Sequence, residues 1–588
     1  MTADDLHHDL NKVIHFLQQE HPPQPPPEQP KKQNPSPFSD TGFPLDPNQT
    51  LAATHLYGPL RVMAPAGSGK TRTLVSRITF LLQQGIPPER ILALAFNRKA
   101  QQEMQDRLAA LGHTVNVRTF HSFGYEIVRH GLGWEYHENS HIRWMELYHA
   151  CLSRHLPGEQ IQSLEAYLAL QRRATMELAP LKNLTLPSPY QNRPFQPIFE
   201  DLLAAQIAHQ LLTFDGMIYF ALRVLLANPA LRHSLQHQYE FVLVDEFQDL
   251  NQAQMLLTRL IALPQNNLFV VGDDDQTIYG WRGADVRLIL DFPQIYPDAQ
   301  TVILATNYRS TRKIVRHARM LIEHNPERVA KDIQPRPGAG VGTLDVLLTT
   351  GIRQQAKAAL DWIESQKETH ALSWDAFAIL YRTNSSIYPV IPLLEQRNIP
   401  YTLAKDTGEA SPEADSPPDI QPNAITLLTI HKSKGKEFPF VVYFNFVQSA
   451  AGYHETTLPE ERRVAYVGAT RAQQGLLLTA DEDRYSPFLR ELTLNPAFAN
   501  YAIPYLERQT EIARRKHTQL TRKIHTLPHQ ETGRWFSWWP WKTSHPAKDK
   551  RQKQVETLTT QLDEIAERLD ILETEIRFRK LFAPKQKA

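Results

Sequence analysis

The sequence predicts an α/β protein made of two parallel sheets in tandem, with a helical insertion in the first and a helical hairpin or coiled coil at the C-terminus. Three observations carry this. Short, continuously apolar runs alternate with helical stretches, the pattern of strands covered on both faces. The first run passes through the turn "MAPAGSGKT" (63–71) straight into a helical stretch. The last 88 residues abandon that pattern for apolar residues at alternating spacings of three and four.

Size and composition narrow the possibilities. A chain of 588 residues is too long for one domain. Apolar residues at 41% allow sizeable cores, and a net charge of +1 supplies no global field, so any nucleic-acid surface must be a local patch. The single cysteine, Cys151, can form no internal disulfide and reads as a core residue. A reducing, cytoplasmic setting is expected. No apolar run approaches the roughly 18–20 residues of a membrane span, and no membrane partner is expected. Asp4 and Asp5 without an early basic cluster argue against a secretory signal or transit peptide.

Residues 1–44 begin with Leu6, Leu10, Val13, Ile14 and Leu17 at helical spacing, followed by a proline-rich spacer. This is either a docking peptide for a protein partner or an extension with little role. Residues 45–124 and 236–298 are expected to form the first sheet domain, from "LRVMAPAG", "RILALAF", "EFVLVDE" and "NLFVVGDDD". Residues 125–235 read as a mainly helical insertion. Residues 299–500 form the second series, "AQTVILA", "GTLDVLL", "DAFAILY", "AITLLTI", "FVVYFNF" and "GLLLTA", with a flexible acidic, proline-containing loop at 404–422. Residues 501–588 carry 18 lysines and arginines against 11 acids. Their seam runs through Val555, Leu558, Leu562, Ile565, Leu569, Leu572 and Ile576, with a weaker one at Leu506, Ala513, Leu520 and Leu527. The Trp-rich stretch "GRWFSWWPWK" between them predicts an antiparallel hairpin; a dimeric coiled coil is the rival.

Strand–turn–helix is the context a phosphate loop requires. In "APAGSGKT" small residues let backbone N–H groups approach phosphate, and the helix N-terminus adds a favourable field. Lys70 would reach the β/γ phosphates and the Thr71 hydroxyl would ligate Mg²⁺; Ala64 stands where a first glycine is usual. At the end of "FVLVDEFQD" stand Asp245 and Glu246, of which one carboxylate would hold Mg²⁺ while its neighbour orients and deprotonates the attacking water. "VVGDDDQTIYGWRGADV" places Gln276, an amide that can touch a γ-phosphate, beside Tyr279, Trp281 and Arg282, the ingredients of a single-strand stacking platform.

With those residues the chain resembles the UvrD/Rep family of superfamily 1 DNA helicases, from about Leu45 to Leu489. The resemblance implies two RecA-like domains with ATP in the cleft between them. "LDPNQTLA" is similar to the family's Q motif, implying that Gln49 reads adenine. The phosphate loop then implies nucleotide contacts from Ala64, Pro65, Ala66, Gly67, Ser68, Gly69, Lys70, Thr71 and Arg72. "ALAFNRKAQQEM" and "VRTFHSF" imply DNA contacts from Phe96, Thr119 and His121. "NYRSTRKI" implies that Tyr308 packs on adenine and Arg309 faces the γ-phosphate. "AILYRTN" implies DNA contacts from Arg382 and Asn384. "LLTIHKSKGKEF" supplies His431 and Lys434 for DNA and Glu437 for the nucleotide. "EERRVAYVGATRA" supplies Arg471 as a second arginine finger.

The resemblance implies an ATP- and Mg²⁺-dependent helicase moving 3′→5′ on single-stranded DNA, acting at single-strand–duplex junctions in repair or replication. One departure matters. The family usually inserts a large helical subdomain, called 2B, where this chain has only loop 404–422. A translocase that displaces proteins with little unwinding is therefore an alternative, and a DNA-binding adaptor with vestigial ATPase is a third. The basic C-terminal hairpin, with Trp535, Trp538, Trp539 and Trp541, could take over part of the duplex or partner contact.

Overall fold

A computed structural model describes residues 44–156, 164–187, 193–404, 422–447, 457–499, 501–526 and 546–583. The expected N-terminal helix, most of the acidic loop and the Trp-rich connection lie outside these residues. The chain divides into two compact units, Met1–Ser486 and Pro487–Ala588.

The first unit contains two six-stranded, wholly parallel sheets. In chain order the strands are β1 (Leu60–Met63), β2 (Ile91–Ala95), β3 (Asn116–Thr119), β4 (Phe241–Val244), β5 (Leu268–Gly272), β6 (Gln300–Ile303), β7 (Thr306–Asn307), β8 (Gln334–Pro335), β9 (Thr343–Thr349), β10 (Phe377–Tyr381), β11 (Tyr401–Leu403), β12 (Ile425–Thr429), β13 (Phe438–Tyr443) and β14 (Ala472–Asp481). The first sheet runs β3-β2-β4-β5-β1-β6 and the second β11-β12-β10-β13-β14-β9. Both are RecA-like, in tandem. A short parallel pair, β7 with β8, lies in the chain between them.

Alternation builds the first sheet. Leu92, Leu94, Val242, Val244, Leu268 and Val270 face the large core shared with the helical insertion. Their neighbours Ile91, Ala93, Phe241, Leu243, Phe269 and Val271 face the other way, onto the helices Lys70–Gln83 and Arg98–Ala110. Both faces being buried, the strands read as unbroken apolar runs. Cys151 is fully buried in the core of the insertion, as expected.

Two placements correct the sequence reading. "AQTVILA" was grouped with the second series, but β6 pairs with β1 (Leu60↔Gln300 through Met63↔Ile303) and closes an edge of the first sheet. The first domain therefore extends past 298, and the chain crosses over only at Thr306–Asn307. Apolar content could not separate the two sheets, because an edge strand and the next domain's first strand look alike. The other edge strand, β3, hides in the polar sequence "NVRT", of which only alternate residues are buried.

In the second unit the helices Ile503–His525 and Pro546–Leu581 pair antiparallel. The direction is fixed by crossing ion pairs, Glu507 with Lys580 and Arg514 with Glu573, each at 2.7 Å. Leu506, Ala513, Leu558 and Leu572 of the expected seams are buried. Within this chain the two helices pair with each other as a hairpin would require.

Candidate nucleotide site and aromatic track

The phosphate loop leaves β1 at Ala64, whose N–H donates to the Gly272 carbonyl at 2.8 Å. Gly67 and Gly69 take φ of +74° and +85°. A Cβ at Gly67 would come within 2.6 Å of Arg309 Cβ, and one at Gly69 within 2.8 Å of Gln49 Nε2, so these two glycines are required by close approach as well as by conformation. The helix Lys70–Gln83 starts from Gly69 with no side-chain cap, leaving its first N–H groups directed at the loop. Ser68 Oγ is buried and has no hydrogen-bond partner. A buried loop with an uncapped helix end and an orphaned hydroxyl fits an anion such as a nucleotide phosphate.

Lys70 Nζ reaches Glu246 at 3.0 Å. Burial works against this ammonium, but Glu246, Asp273 and Asp245 outweigh it and raise its pKa. Asp245 and Glu246 leave the C-terminal end of β4, and their environments drive them apart. Burial first, then the Glu246 charge, holds the Asp245 carboxyl well above its ordinary range. Burial also opposes the Glu246 carboxylate, but Lys70 and Lys434 outweigh it and keep its pKa low. Glu246 sits in the left-handed region, at φ +48°, where a non-glycine residue costs energy; this turns its carboxylate towards the loop. A buried carboxylate short of positive charge, one residue past Val244 and facing the Lys70–Thr71 turn, is a chemically suitable Mg²⁺ ligand. No cation is needed at the only other acidic cluster found among the described residues, Asp273, Asp274 and Asp275. Lys331 Nζ already lies within 3.1 Å of Asp273, within 2.9 Å of Asp275 and against Asp274, and Arg328 grips Asp275 at 2.9 and 2.7 Å.

Residues from the second domain close over the loop. The Asn307 amide donates to the Ala66 carbonyl at 2.8 Å, while its Oδ1 accepts the N–H groups of Arg309 and Ser310 at 3.0 and 2.8 Å. The Tyr308 N–H donates to the Gly67 carbonyl at 2.8 Å, and its hydroxyl to Asp46 at 2.8 Å. That leaves its ring 40% exposed, a face open for stacking. Arg309 donates to Glu437 at 2.5 Å and to the Thr470 carbonyl at 3.3 Å. Buried Arg471 donates to Gln276 Oε1 at 3.2 Å, and burial with the Arg309 cation pushes its pKa down to about 9. Two guanidinium groups near enough for one charge to act on the other would be stabilised by an anion between them.

Gln49 stands beside the loop. It is buried and already employed: its amide donates to the Ser68 carbonyl at 2.9 Å, and its Oε1 accepts the Asp46 N–H at 3.2 Å. It braces the loop against the helix Pro47–Thr54. Glu437 is engaged as the acceptor for Arg309 and Gln473. Arg72 is half-buried in the first turn of the loop helix.

The aromatic track assembles from both domains. Phe96, after β2, stacks on Tyr279 with centroids 5.6 Å apart. His431, in the helix Ile430–Ser433, lies 6.1 Å from Tyr279 and 6.5 Å from Trp281. Arg282 sits 4.6 Å over Trp281, and Lys434 5.1 Å over Tyr279. Trp281 is 40% exposed, a surface rather than a core tryptophan. Lys434 also bonds Asp249 and the Gln276 carbonyl, so the aromatic cluster touches Gln276 through one lysine.

The remaining expected DNA residues have the following neighbours within the chain. Thr119 caps the helix Phe120–Leu132 through a reciprocal bond with Ser122. His121 stacks on Phe214 at 3.9 Å, and burial with the Arg282 charge lowers its pKa to about 4. Arg382 is paired with Glu461 at 2.7 Å, and Asn384 begins a short turn after β10. The sequence reading missed Asn307, Gln248, Phe214 and Lys331. Gln248, which bridges Glu246 at 2.5 Å and the Asp273 N–H at 2.9 Å, stood inside a quoted motif; Lys331 carried no local signal.

Comparison with known proteins agrees with this geometry. Residues 45–297 match the UvrD/REP helicase N-terminal domain, and residues 302–408 and 410–483 the UvrD-like helicase C-terminal domain. The chain is 34% identical over 374 residues to an ATP-dependent DNA helicase PcrA of Leuconostoc citreum, covering 61% of this chain and 49% of that protein. It is 32% identical to the putative ATP-dependent DNA helicase YjcD of Bacillus subtilis, covering 61% of this chain and 48% of that one. The chain thus spans about half the length of the curated relatives it matches. Among the described residues no helix is long and apolar enough to cross a membrane.

Proposed function

Because the chain belongs to the UvrD/Rep helicase family, we propose that it is an ATP-driven motor that moves 3′→5′ along single-stranded DNA and opens duplexes, in repair or replication. The observation that carries this is the shared position of Gln276 and Lys434: one amide faces the arginine finger, and its own backbone carbonyl holds the lysine that lies over Tyr279. Nucleotide state and base contact are one residue apart.

In this reading the loop amides and Lys70 bind the phosphates, and Tyr308 stacks on the base. Thr71 and Asp245 would hold Mg²⁺, which neutralises phosphate charge and orients the triphosphate. As phosphate draws Lys70 away, Glu246 is released to accept a proton from the attacking water. Arg309 leaves Glu437 and joins Arg471 in stabilising charge on the transferring phosphoryl group. Both arginines come from the second domain, so binding draws the domains together and release lets them part. Phe96, Tyr279, Trp281, Arg282 and His431 would hold the strand through each cycle.

One observation favours a translocase with weak unwinding. Only 21 residues separate β11 from β12, where the family places its 2B subdomain. Strand separation of a 3′-tailed duplex, with hydrolysis followed in the same reaction and Glu246→Gln as control, tests both. Stimulated hydrolysis with unwinding supports the helicase; stimulated hydrolysis alone supports the translocase. Hydrolysis indifferent to DNA, or unaffected by Glu246→Gln, sinks the motor.

A further inference from the structure

We propose that the outward stripe of the helix Ile503–His525 is a second seat for single-stranded nucleic acid, separate from the track in the motor domains. The proposal extends the reading of this chain as a DNA motor and rests on it.

The inward face of this helix is settled by the buried Leu506, Thr510 and Ala513. Opposite them Tyr505, Arg508, Ile512, Arg515 and Arg522 are all exposed, at spacings that keep them on one side of a helix. Tyr501, just before the helix, joins them: its ring stacks on that of Tyr505, with centroids 4.9 Å apart and planes 14° apart. The rings are 43% and 40% exposed, an uncommon state for two adjacent tyrosines. The three arginines follow at seven-residue intervals, about 10.5 Å apart along the axis.

Charge singles out this helix. It carries six lysines and arginines against two glutamates, whereas Pro546–Leu581 carries eight of each sign. Glu507 is engaged by Lys580 on the partner helix. Glu511 pairs with Arg515 at 2.5 Å, but both are exposed, and such a pair yields readily to a phosphate. Arg508 spends only its Nε, on the Pro504 carbonyl at 3.3 Å. A part-exposed pair of stacked tyrosine rings beside a row of cations matches unpaired bases on a phosphate backbone. A duplex would use the arginines and leave the rings idle. A protein groove would call for more apolar surface than Ile512 offers.

The test uses the full-length chain and a fluorescent thymidine oligonucleotide. Two variants are compared with the parent, Tyr501→Ala/Tyr505→Ala and Arg508→Gln/Arg515→Gln/Arg522→Gln; helix content by circular dichroism should stay constant, since every changed side chain is exposed. Loss of the tyrosines should weaken binding roughly tenfold or more. Loss of the arginines should lower the salt dependence, log Kd against log salt, by about 2, at 0.7 per phosphate contact. Photo-crosslinking with a halogenated uracil strand should mark Tyr501 or Tyr505. Unchanged affinity and slope, or crosslinks confined to the motor domains, would overturn the proposal. Equal losses on blunt duplex and single strand would overturn the assignment to unpaired bases. Variant-sensitive binding in a chain whose hydrolysis ignores DNA would support this seat while refuting the motor.

Discussion

The guanidinium of Arg471 donates to the side-chain carbonyl of Gln276 at 3.2 Å, joining the end of β5 in the first sheet to the start of β14 in the second through two buried side chains. Gln276 is held in turn: its amide donates to Asp273 at 2.6 Å, and Asp273 accepts Lys331 at 3.1 Å. Arg471 is therefore held in place by the fold itself, the arrangement that its proposed role in electrostatic stabilisation of a transition state requires.

Arg471→Ala should accordingly damage turnover more than binding. A loss of roughly 10³-fold or more in kcat is expected for an arginine finger. Affinity for a fluorescent ADP, which lacks the γ-phosphate, should change little. Steady-state hydrolysis together with nucleotide titration would check this; equal loss of ADP binding would show Arg471 to be structural instead.

Lys331 is the only described cation that touches all three buried aspartates at the end of β5. Lys331→Met should remove about 3–5 kcal/mol of stability, because it strands buried carboxylates rather than deleting a neutral contact. Thermal melting would register it as a large fall in midpoint. Adding Asp274→Asn should restore part of the loss, since one fewer charge then needs compensation; no rescue would mean that packing, not charge, fixes this site.

Acid should loosen the motor unit through His121. Its folded pKa lies near 4, lowered by burial and by Arg282, against an ordinary 6.5. Between those values the unfolded chain binds a proton that the folded one refuses. The stability is whole above pH 6.5 and is lost as pH falls towards 4. His431 and His55, lowered to about 4 chiefly by burial, act in the same sense. His121→Phe, which keeps a ring against Phe214, should shrink the drop in melting temperature between pH 7 and pH 5. An unaltered drop would place the acid sensitivity elsewhere.

The sequence alone determined the two parallel sheets, the phosphate loop, the acidic pair at β4, the aromatic cluster after β5 and the heptad seams of the C-terminal helices. Each is local: an apolar run, a glycine turn or a heptad seam expresses its own geometry within a few residues. Tertiary structure decided what depends on residues distant in the chain. It assigned β6 to the first sheet, because only pairing with β1 distinguishes that strand from those that follow. It gave Gln49 a bracing bond to the loop and Thr119 a capping bond at a helix start, contacts that no local pattern announces because both depend on how the chain packs. Lys331 was illegible for the same reason: an isolated lysine in "RVAKDIQ" becomes a counter-ion of three aspartates only when the fold removes all four side chains from water.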